Sequence, residues 1–285
     1  KDFVEYKFKT KPYKHQFDAF MISKDKESYA LFMEQGTGKS KVIIDNIAYL
    51  YRKGSIDTVV IAAPKGVYRN WIASEYETHM PDDVKEFTRL QIWSPAETIS
   101  NIDNLVEFLK ESNKLRFFVV NIEALSTEKG KNYVHRLLNT GKSFFVIDES
   151  SNIKNRTARR TKNCHKLYKL AKYRRILTGT PVTQGPLDLW SQMHFLDPYI
   201  LQNSFYAYRN TFCVIRRRRL TTHTFDEVVG YQRLEELQEI LKPYSFRVTK
   251  EECLDLPPKV KVIRHVEMTP EQKRMYVTLK KRAIV

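Results

Sequence analysis

The sequence predicts an α/β fold: a doubly wound, mostly parallel sheet with a small helical, basic insert near the C-terminus. Three observations carry this. Short apolar runs rich in β-branched and aromatic residues recur through the first two-thirds of the 285 residues, as expected of strands buried on both faces. Helix-period segments separate them, which is the alternation of βαβ units. Past Pro198 the pattern changes to clustered aromatic and basic residues, with Arg216, Arg217, Arg218 and Arg219 in a row.

Strands are expected at Tyr29–Met33, Thr58–Ala63, Leu90–Trp93, Phe117–Asn121, Phe144–Asp148 and Arg174–Thr178. Between the first two, Ile43, Ile47, Leu50 and Tyr51 share one face of a helix over Lys39–Lys53, and Gly54 stands where that helix would stop. Later, Leu234, Leu237 and Leu241 lie on one helical face ended by Pro243. Leu256-Pro257-Pro258 reads as a break and Val260–Val266 as strand-like. Thr269-Pro270-Glu271-Gln272 reads as a capping box with proline at the first helical position. The helix it starts is still running at Val285, and the chain opens on Lys1 rather than Met. The sequence is therefore expected to be part of a longer protein.

Hydrophobic residues at 42% and charged residues at 29% exclude disorder as the main state. With 49 Lys and Arg against 33 Asp and Glu the net charge is +16, which points to a polyanionic partner, nucleic acid first. Apolar runs such as Val59–Ala63 are short, so no transmembrane helix is expected, and no signal peptide opens the chain. Cys164, Cys213 and Cys253 lie far apart, no C-x-x-C occurs, and the seven histidines never fall at metal-ligand spacing. Neither a zinc site nor a disulfide framework is expected, and a reducing, intracellular setting fits.

Three segments at expected strand ends carry chemistry. Met33-Glu34-Gln35-Gly36-Thr37-Gly38-Lys39-Ser40 follows a strand and opens a helix. Gly36 and Gly38 let the backbone around Thr37 wrap phosphates with N–H groups inward, and the helix N-terminus adds partial positive charge. Lys39 can then reach the β- and γ-phosphates of a nucleotide, and Ser40 can ligate Mg²⁺. Met33 stands where the strict G-x-x-x-x-G-K-S pattern has its first glycine. A glycine turn that merely caps a helix is the alternative, disfavoured by the strand–turn–helix context. Phe144–Ile147 runs into Asp148 and Glu149. Asp148 can hold Mg²⁺ through water, and Glu149 can orient and deprotonate an attacking water. Leu177-Thr178-Gly179-Thr180-Pro181 is either an ordinary turn or a hydroxyl pair, Thr178 and Thr180, that senses the γ-phosphate.

In this order the motifs resemble the first RecA-like lobe of a superfamily-two helicase or translocase of the Swi/Snf type. Lys14-His15-Gln16-Phe17-Asp18-Ala19 is similar to the Q-motif region, which implies that Gln16 reads adenine. Gly36–Ser40 is similar to the family's G-x-G-K-T loop, which also lacks the first glycine. Ala63-Pro64-Lys65 with Asn70-Trp71 resembles motif Ia, and Asn121–Leu125 motif Ib. Asp148-Glu149-Ser150-Ser151, then Ile153-Lys154-Asn155, resembles D-E-A-H with its trailing K-N; serines replace the alanine and histidine. Leu177–Pro181, Leu189-Trp190 and Leu196-Asp197-Pro198 resemble the next block, and Leu241-Lys242-Pro243 through Tyr276 the stretch that closes the family's N-terminal half.

The resemblance implies a P-loop ATP-binding lobe over 1–198, a helical, basic protrusion over 199–256, and a connector over 257–285 toward a second RecA-like lobe. That second lobe would supply arginine fingers, so this chain alone is expected to be nearly inactive. The short middle insert fits a compact bacterial or phage motor, in the cytoplasm rather than a nucleus.

From Lys154 to Arg175 there are ten basic residues and no acid. A one-sign block beside such motifs is what phosphate binding needs, so Lys154, Arg156, Arg159, Arg160 and Lys162, with Lys65, are the expected nucleic-acid contacts. Backbone contacts carry no base information, so sequence preference should be weak. Arg216–Arg219 fit either a second contact or a basic stripe on a helix. Trp71 and Tyr13 read as core or stacking residues, and His79 and His165 as surface or core residues. The leading reading is an ATP-driven translocase or helicase on double-stranded DNA. Its rivals are an RNA helicase, the motor subunit of a restriction-type nuclease, and a DNA-binding module with a relic ATP fold.

Overall fold

The structure, a computed structural model, describes residues 6–95, 106–110, 114–220, 223–253 and 262–282. Strands and helices alternate: α1 (Lys14–Ser23), β1 (Ser28–Met33), α2 (Lys39–Arg52), β2 (Thr58–Ala63), β3 (Thr88–Ile92), β4 (Leu115–Asn121), α3 (Glu128–Asn139), β5 (Ser143–Asp148), α4 (Arg159–Leu167), β6 (Tyr173–Leu177) and α5 (Leu187–Leu196). All six expected strands form, with ends shifted by a residue or two. With a seventh strand, β9 (Ser245–Val248), they form a sheet in the order β3-β4-β2-β5-β6-β1-β9, parallel throughout.

Period-two alternation divides the strands between two cores. Ala30, Phe32, Val60, Ala62, Phe118, Phe145 and Ile147 face one side, packed with Leu137, Leu167 and Met193 from α3, α4 and α5. Leu31, Met33, Val59, Ile61, Val119, Phe144 and Val146 face the other, packed with Phe20 of α1 and Ile43, Ile47 and Leu50 of α2. Burial on both faces is why these strands read as unbroken apolar runs. Helix α2 stops where expected, with Gly54 at φ +65° accepting a left-handed turn that a side chain would strain. Among the described residues no helix is long and apolar enough to cross a membrane.

Past Pro198 the structure departs from expectation. Helices α6 (Phe205–Phe212) and α7 (Leu234–Leu241) form, but Arg216–Arg219 are not helical. They lie on β7 (Cys213–Leu220), paired antiparallel with β8 (His223–Tyr231). Arginine helix propensity is overridden by the β-forming partner segment, which holds Thr224, Phe225, Val228, Val229 and Tyr231. Nor does this stretch stand wholly apart. Tyr208, Phe212 and Leu237 are buried in the first core, and β9 (Ser245–Val248) adds a parallel edge strand beside β1.

Residues 255–285 form a unit of their own, separate from 1–254. Its described part holds α8 (Pro270–Arg282), with the expected reciprocal cap: Thr269 N–H donates to Gln272 Oε1 at 3.0 Å and Gln272 N–H to Thr269 Oγ1 at 3.3 Å. Residues 262–266 are not a strand, and Val262, Ile263 and Val266 are exposed. The expected break at Leu256-Pro257-Pro258 lies outside the described residues.

The basic block also splits. Arg174 and Arg175 fall on β6, and Arg175 is wholly buried. Its guanidinium donates to Ser23 O at 2.7 Å and Asn46 Oδ1 at 2.9 Å, tying α1 and α2 to the sheet. Arg174 donates to Ala171 O at 2.6 Å and Leu196 O at 2.7 Å. These two are structural and belong to no outer face. Arg175→Ala should therefore destabilise by roughly 3–5 kcal/mol, from the buried Asn46 Oδ1 left unpaired at about 1–3 kcal/mol plus a cavity. Exposed Arg159→Ala should stay within about 0.5 kcal/mol. Denaturant midpoints at constant slope check both; equal small shifts would contradict the assignment.

Candidate nucleotide site and nucleic-acid face

Strands β5, β6 and β1 are neighbours in parallel register, with Asp148 opposite Leu177 and Leu177 opposite Leu31. Their C-terminal loops therefore leave the sheet together. Those after β1 and β5 border a cleft of about 610 Å³ lined by Gly36, Gly38, Lys39, Ser40, Asp148 and Glu149, and by Trp71, Glu75 and His79 from the segment after β2; the loop after β6 joins it through the Thr178–Glu149 hydrogen bond.

The loop at 34–38 is bent by Gly36 at φ +84° and Gly38 at φ +85°. Thr37 is buried, with its Oγ1 donating to Glu34 O at 2.7 Å. A Cβ at Gly38 would overlap the Gln16 amide, so that glycine is required by close approach as well as by φ. Gln16 itself donates to Thr37 O at 3.1 Å and accepts from Tyr13 N–H at 3.0 Å. It braces the loop from behind and is not among the residues lining the cleft. Lys39 Nζ donates to Met33 O at 2.9 Å. Burial pushes its pKa down, against the pull of Glu149 and Asp148. Met33 thus contributes a carbonyl, which a side chain pointing into the core leaves free to do. Lys250 runs over Gly36, and its N–H donates to Glu34 Oε2 at 2.8 Å, a second cation at the loop that the sequence pattern does not single out.

Asp148 is held at both oxygens. Oδ1 accepts from Glu149 N–H at 3.0 Å, and Oδ2 accepts from Trp71 Nε1–H at 2.9 Å. Burial pushes its pKa up, and the Trp71 hydrogen bond opposes that. Trp71 is buried, as a core residue should be, but its N–H is spent on this carboxylate. It opens a π-helical turn, Trp71–Tyr76, a wide turn that recurs at functional sites. Glu75 on that turn has its pKa raised by burial and by Asp148. Glu149 occupies a left-handed conformation, φ +49° and ψ +63°, which costs a non-glycine residue about 1–3 kcal/mol and aims its carboxylate from the strand end. Its Oε2 accepts from Thr178 Oγ1 at 3.2 Å, and Thr178 Oγ1 accepts from Thr180 N–H at 3.1 Å. Thr178 is fully buried; the Thr180 side chain is exposed.

Ser150, where the resembled pattern has alanine, is buried and donates to Gln192 Oε1 at 2.7 Å. Gln192 in turn donates to Pro181 O at 2.7 Å. The acid pair and the 178–181 turn are therefore joined twice, without a histidine at Ser151.

The expected nucleic-acid residues divide by environment. Lys65 and Lys162 are exposed, Arg160 is half-buried, and none of the three meets an acid among the described residues. Arg159 is exposed and lies 3.3 Å from Glu128. Lys154 is bonded to Thr183 Oγ1 and lies 3.6 Å from Asp188, so it holds the loop after β6. Arg156 stacks over Phe205 at 4.3 Å.

A glycine-lined loop at a helix start, a lysine within it and an acid pair on a neighbouring parallel strand define a P-loop-type, RecA-like nucleotide lobe. The residues present fit a Mg²⁺-nucleotide: the left-handed glycines make room for phosphate, and Ser40 and Asp148 offer hard oxygen donors. The SNF2-related domain matches residues 13–285, and the chain belongs to this family. It is similar to the SWI/SNF-related matrix-associated actin-dependent regulator of chromatin subfamily A containing DEAD/H box 1 of Xenopus tropicalis, 28% identical over 273 residues, covering 91% of this chain and 24% of that protein. It is 25% identical over 262 residues to the ATP-dependent helicase FUN30 of Saccharomyces cerevisiae, covering 90% of this chain and 22% of that one. Its fold matches the Sulfolobus solfataricus SWI2/SNF2 ATPase core solved in complex with dsDNA, with a TM-score of 0.65, 24% identity, and coverage of 98% of this chain and 54% of that one. The chain thus spans about a quarter of those curated relatives and about half of that structure.

Trp71→Phe keeps an aromatic ring and deletes the N–H that fixes Asp148. A hydrogen bond to a charged group is worth about 1.5–3 kcal/mol, so the extra nucleotide affinity that Mg²⁺ confers should fall by about tenfold or more. Affinity in EDTA should stay unchanged. Calorimetry with and without Mg²⁺ separates the two; an equal loss in both would mean that Trp71 only fills space.

Proposed function

We propose that this chain is the first motor lobe of an ATP-dependent nucleic-acid translocase or helicase acting on double-stranded DNA. The observation that carries the reading is the convergence of Lys39, Ser40, Asp148, Glu149 and Thr178 at one sheet edge. A relic fold would have no reason to keep Glu149 in a strained conformation with a hydroxyl on its carboxylate.

In this reading Lys39 and the 36–40 backbone N–H groups bind the phosphates, and Ser40 and Asp148 are the oxygen donors for Mg²⁺. Bound Mg²⁺ supplies charge neutralisation on the phosphates. Glu149 accepts a proton from an attacking water, and Thr178 keeps that carboxylate in place. Thr180, exposed on the same turn, presents the 178–181 loop to the nucleotide's terminal phosphate and relays its state. Gln16 reads adenine, and its hydrogen bond to Thr37 O ties that contact to the phosphate loop.

Among the described residues lining the cleft Lys39 is the one Lys or Arg, with Lys250 beside it over Gly36, against three lining carboxylates, those of Glu75, Asp148 and Glu149. Mg²⁺ offsets part of that imbalance. The rest calls for cations from outside, which supports a second RecA-like lobe carrying arginine fingers, a contribution of roughly 10³–10⁵ in rate. Lys65, Arg156, Arg159, Arg160 and Lys162, with the net charge of +16, are the proposed contacts to DNA phosphates. The dsDNA bound by the matched archaeal core supports duplex over RNA.

In the protein with both lobes, ATP turnover should rise severalfold or more with duplex DNA, and less with single-stranded DNA or RNA. Steady-state hydrolysis with each polymer at equal phosphate concentration checks this. Stimulation by RNA above duplex DNA would favour the RNA-helicase reading.

A further inference from the structure

We infer that the β7–β8 hairpin is a second contact for duplex phosphate backbone, and that its foot is built onto the loop that carries Thr178 and Thr180. The inference rests on the proposed duplex reading and adds to it a site and a route of coupling.

Directly opposed residues of an antiparallel pair share a face. Arg216 opposes Glu227 and Arg218 opposes Phe225 on one face; Arg217 opposes Asp226 and Arg219 opposes Thr224 on the other. Both acids already have cations. Glu227 is paired with Arg218, and Asp226 lies 3.0 Å from Arg209 of α6. Arg216, Arg217 and Arg219 are exposed and meet no acid among the described residues. A two-stranded hairpin is marginal in water, and arginines two apart on a strand share a face at roughly 6.5 Å, where they repel. Three unpaired guanidiniums therefore weaken the hairpin, and a polyanion laid along it removes that penalty.

The hairpin is continuous with the first basic face. Arg156 and Arg209 each lie 5.3 Å from the Tyr206 ring of α6, and Arg209 reaches on to Asp226 of β8. One aromatic helix thus links the approach to α4 with the arginine strand. A rigid, regularly charged polymer can follow such a stripe.

The foot of the hairpin meets the nucleotide loop. Tyr231 covers Gly185 so closely that a Cβ there would overlap the Tyr231 hydroxyl. Beside it, Tyr208 Oη donates to Pro186 O at 2.7 Å. Residues 185 and 186 continue the segment from Thr178 and Thr180, which Gln192 and Lys154 also hold. Movement of the hairpin on duplex binding is therefore applied to the turn whose Thr178 holds Glu149.

Duplex binding to this chain by fluorescence anisotropy across a salt series tests the contact. The log–log slope flattens by about 0.9 for every phosphate that is no longer neutralised. The triple Arg216→Gln, Arg217→Gln, Arg219→Gln should flatten it by about 2–3, leave nucleotide affinity unchanged and not lower Tm. An unchanged slope in this triple, with flattening in the triple Arg159→Gln, Arg160→Gln, Lys162→Gln, overturns the hairpin inference and leaves the duplex reading standing. Slopes unchanged in both triples, or no duplex binding by the wild type, sink the duplex reading itself. For the coupling, Tyr231→Ala in the two-lobed protein should keep duplex affinity and basal hydrolysis but lose at least about fivefold of the DNA stimulation. Full stimulation in that variant overturns the coupling.

Discussion

The side-by-side parallel packing of β5, β6 and β1 is the constraint on which the site depends. It brings three loops, far apart in sequence, to one sheet edge. The apolar runs that make these strands are buried on both faces, so a one-residue slip would exchange the side chains packed into the two cores and misfit both. Arg175 adds a polar tie, reaching from β6 to α1 and α2. The helix start that presents Lys39 and Ser40 is thereby fixed against the strand whose next residue is Thr178.

Upon this frame the functional groups are held by polar contacts rather than by packing. Asp148 is gripped from two directions, Glu149 is strained and hydrogen-bonded, and Ser150 links to Pro181 through Gln192. Buried polar networks of this kind rigidify when fully satisfied. The loop from Thr178 to Asp188 collects most of them. It touches the acid pair on one side, and Lys154 and the hairpin foot on the other, which is where the proposed reading joins nucleotide state to polyanion contact.

The strands are legible in the sequence because continuous β-branched runs have one simple explanation, and the loop motifs because glycine, lysine and paired acids at strand ends have few others. The bond from Trp71 to Asp148 is not legible: a tryptophan 77 positions upstream carries no local signal of its partner. β9 escapes notice because Ser245-Phe246-Arg247-Val248 is short and half polar, and an edge strand needs little apolar surface. Arg216–Arg219 mislead because arginine is a good helix former. Arg174 and Arg175 pass for surface charge as long as the sign of the run is read without its register. On β6, alternation sends Arg174 and Arg175 to opposite faces, and both faces are covered by a core.

The central claim is that the cleft is half of a site, able to bind Mg²⁺-ATP but short of cations for turnover. Steady-state ATP hydrolysis by residues 1–285 alone, with saturating duplex DNA, tests it most directly. The account predicts nucleotide binding with a rate far below about 1 s⁻¹, restored when the second lobe is present; a rate near about 1 s⁻¹ or above, the usual order for a working enzyme, would show that the site is already complete and contradict it.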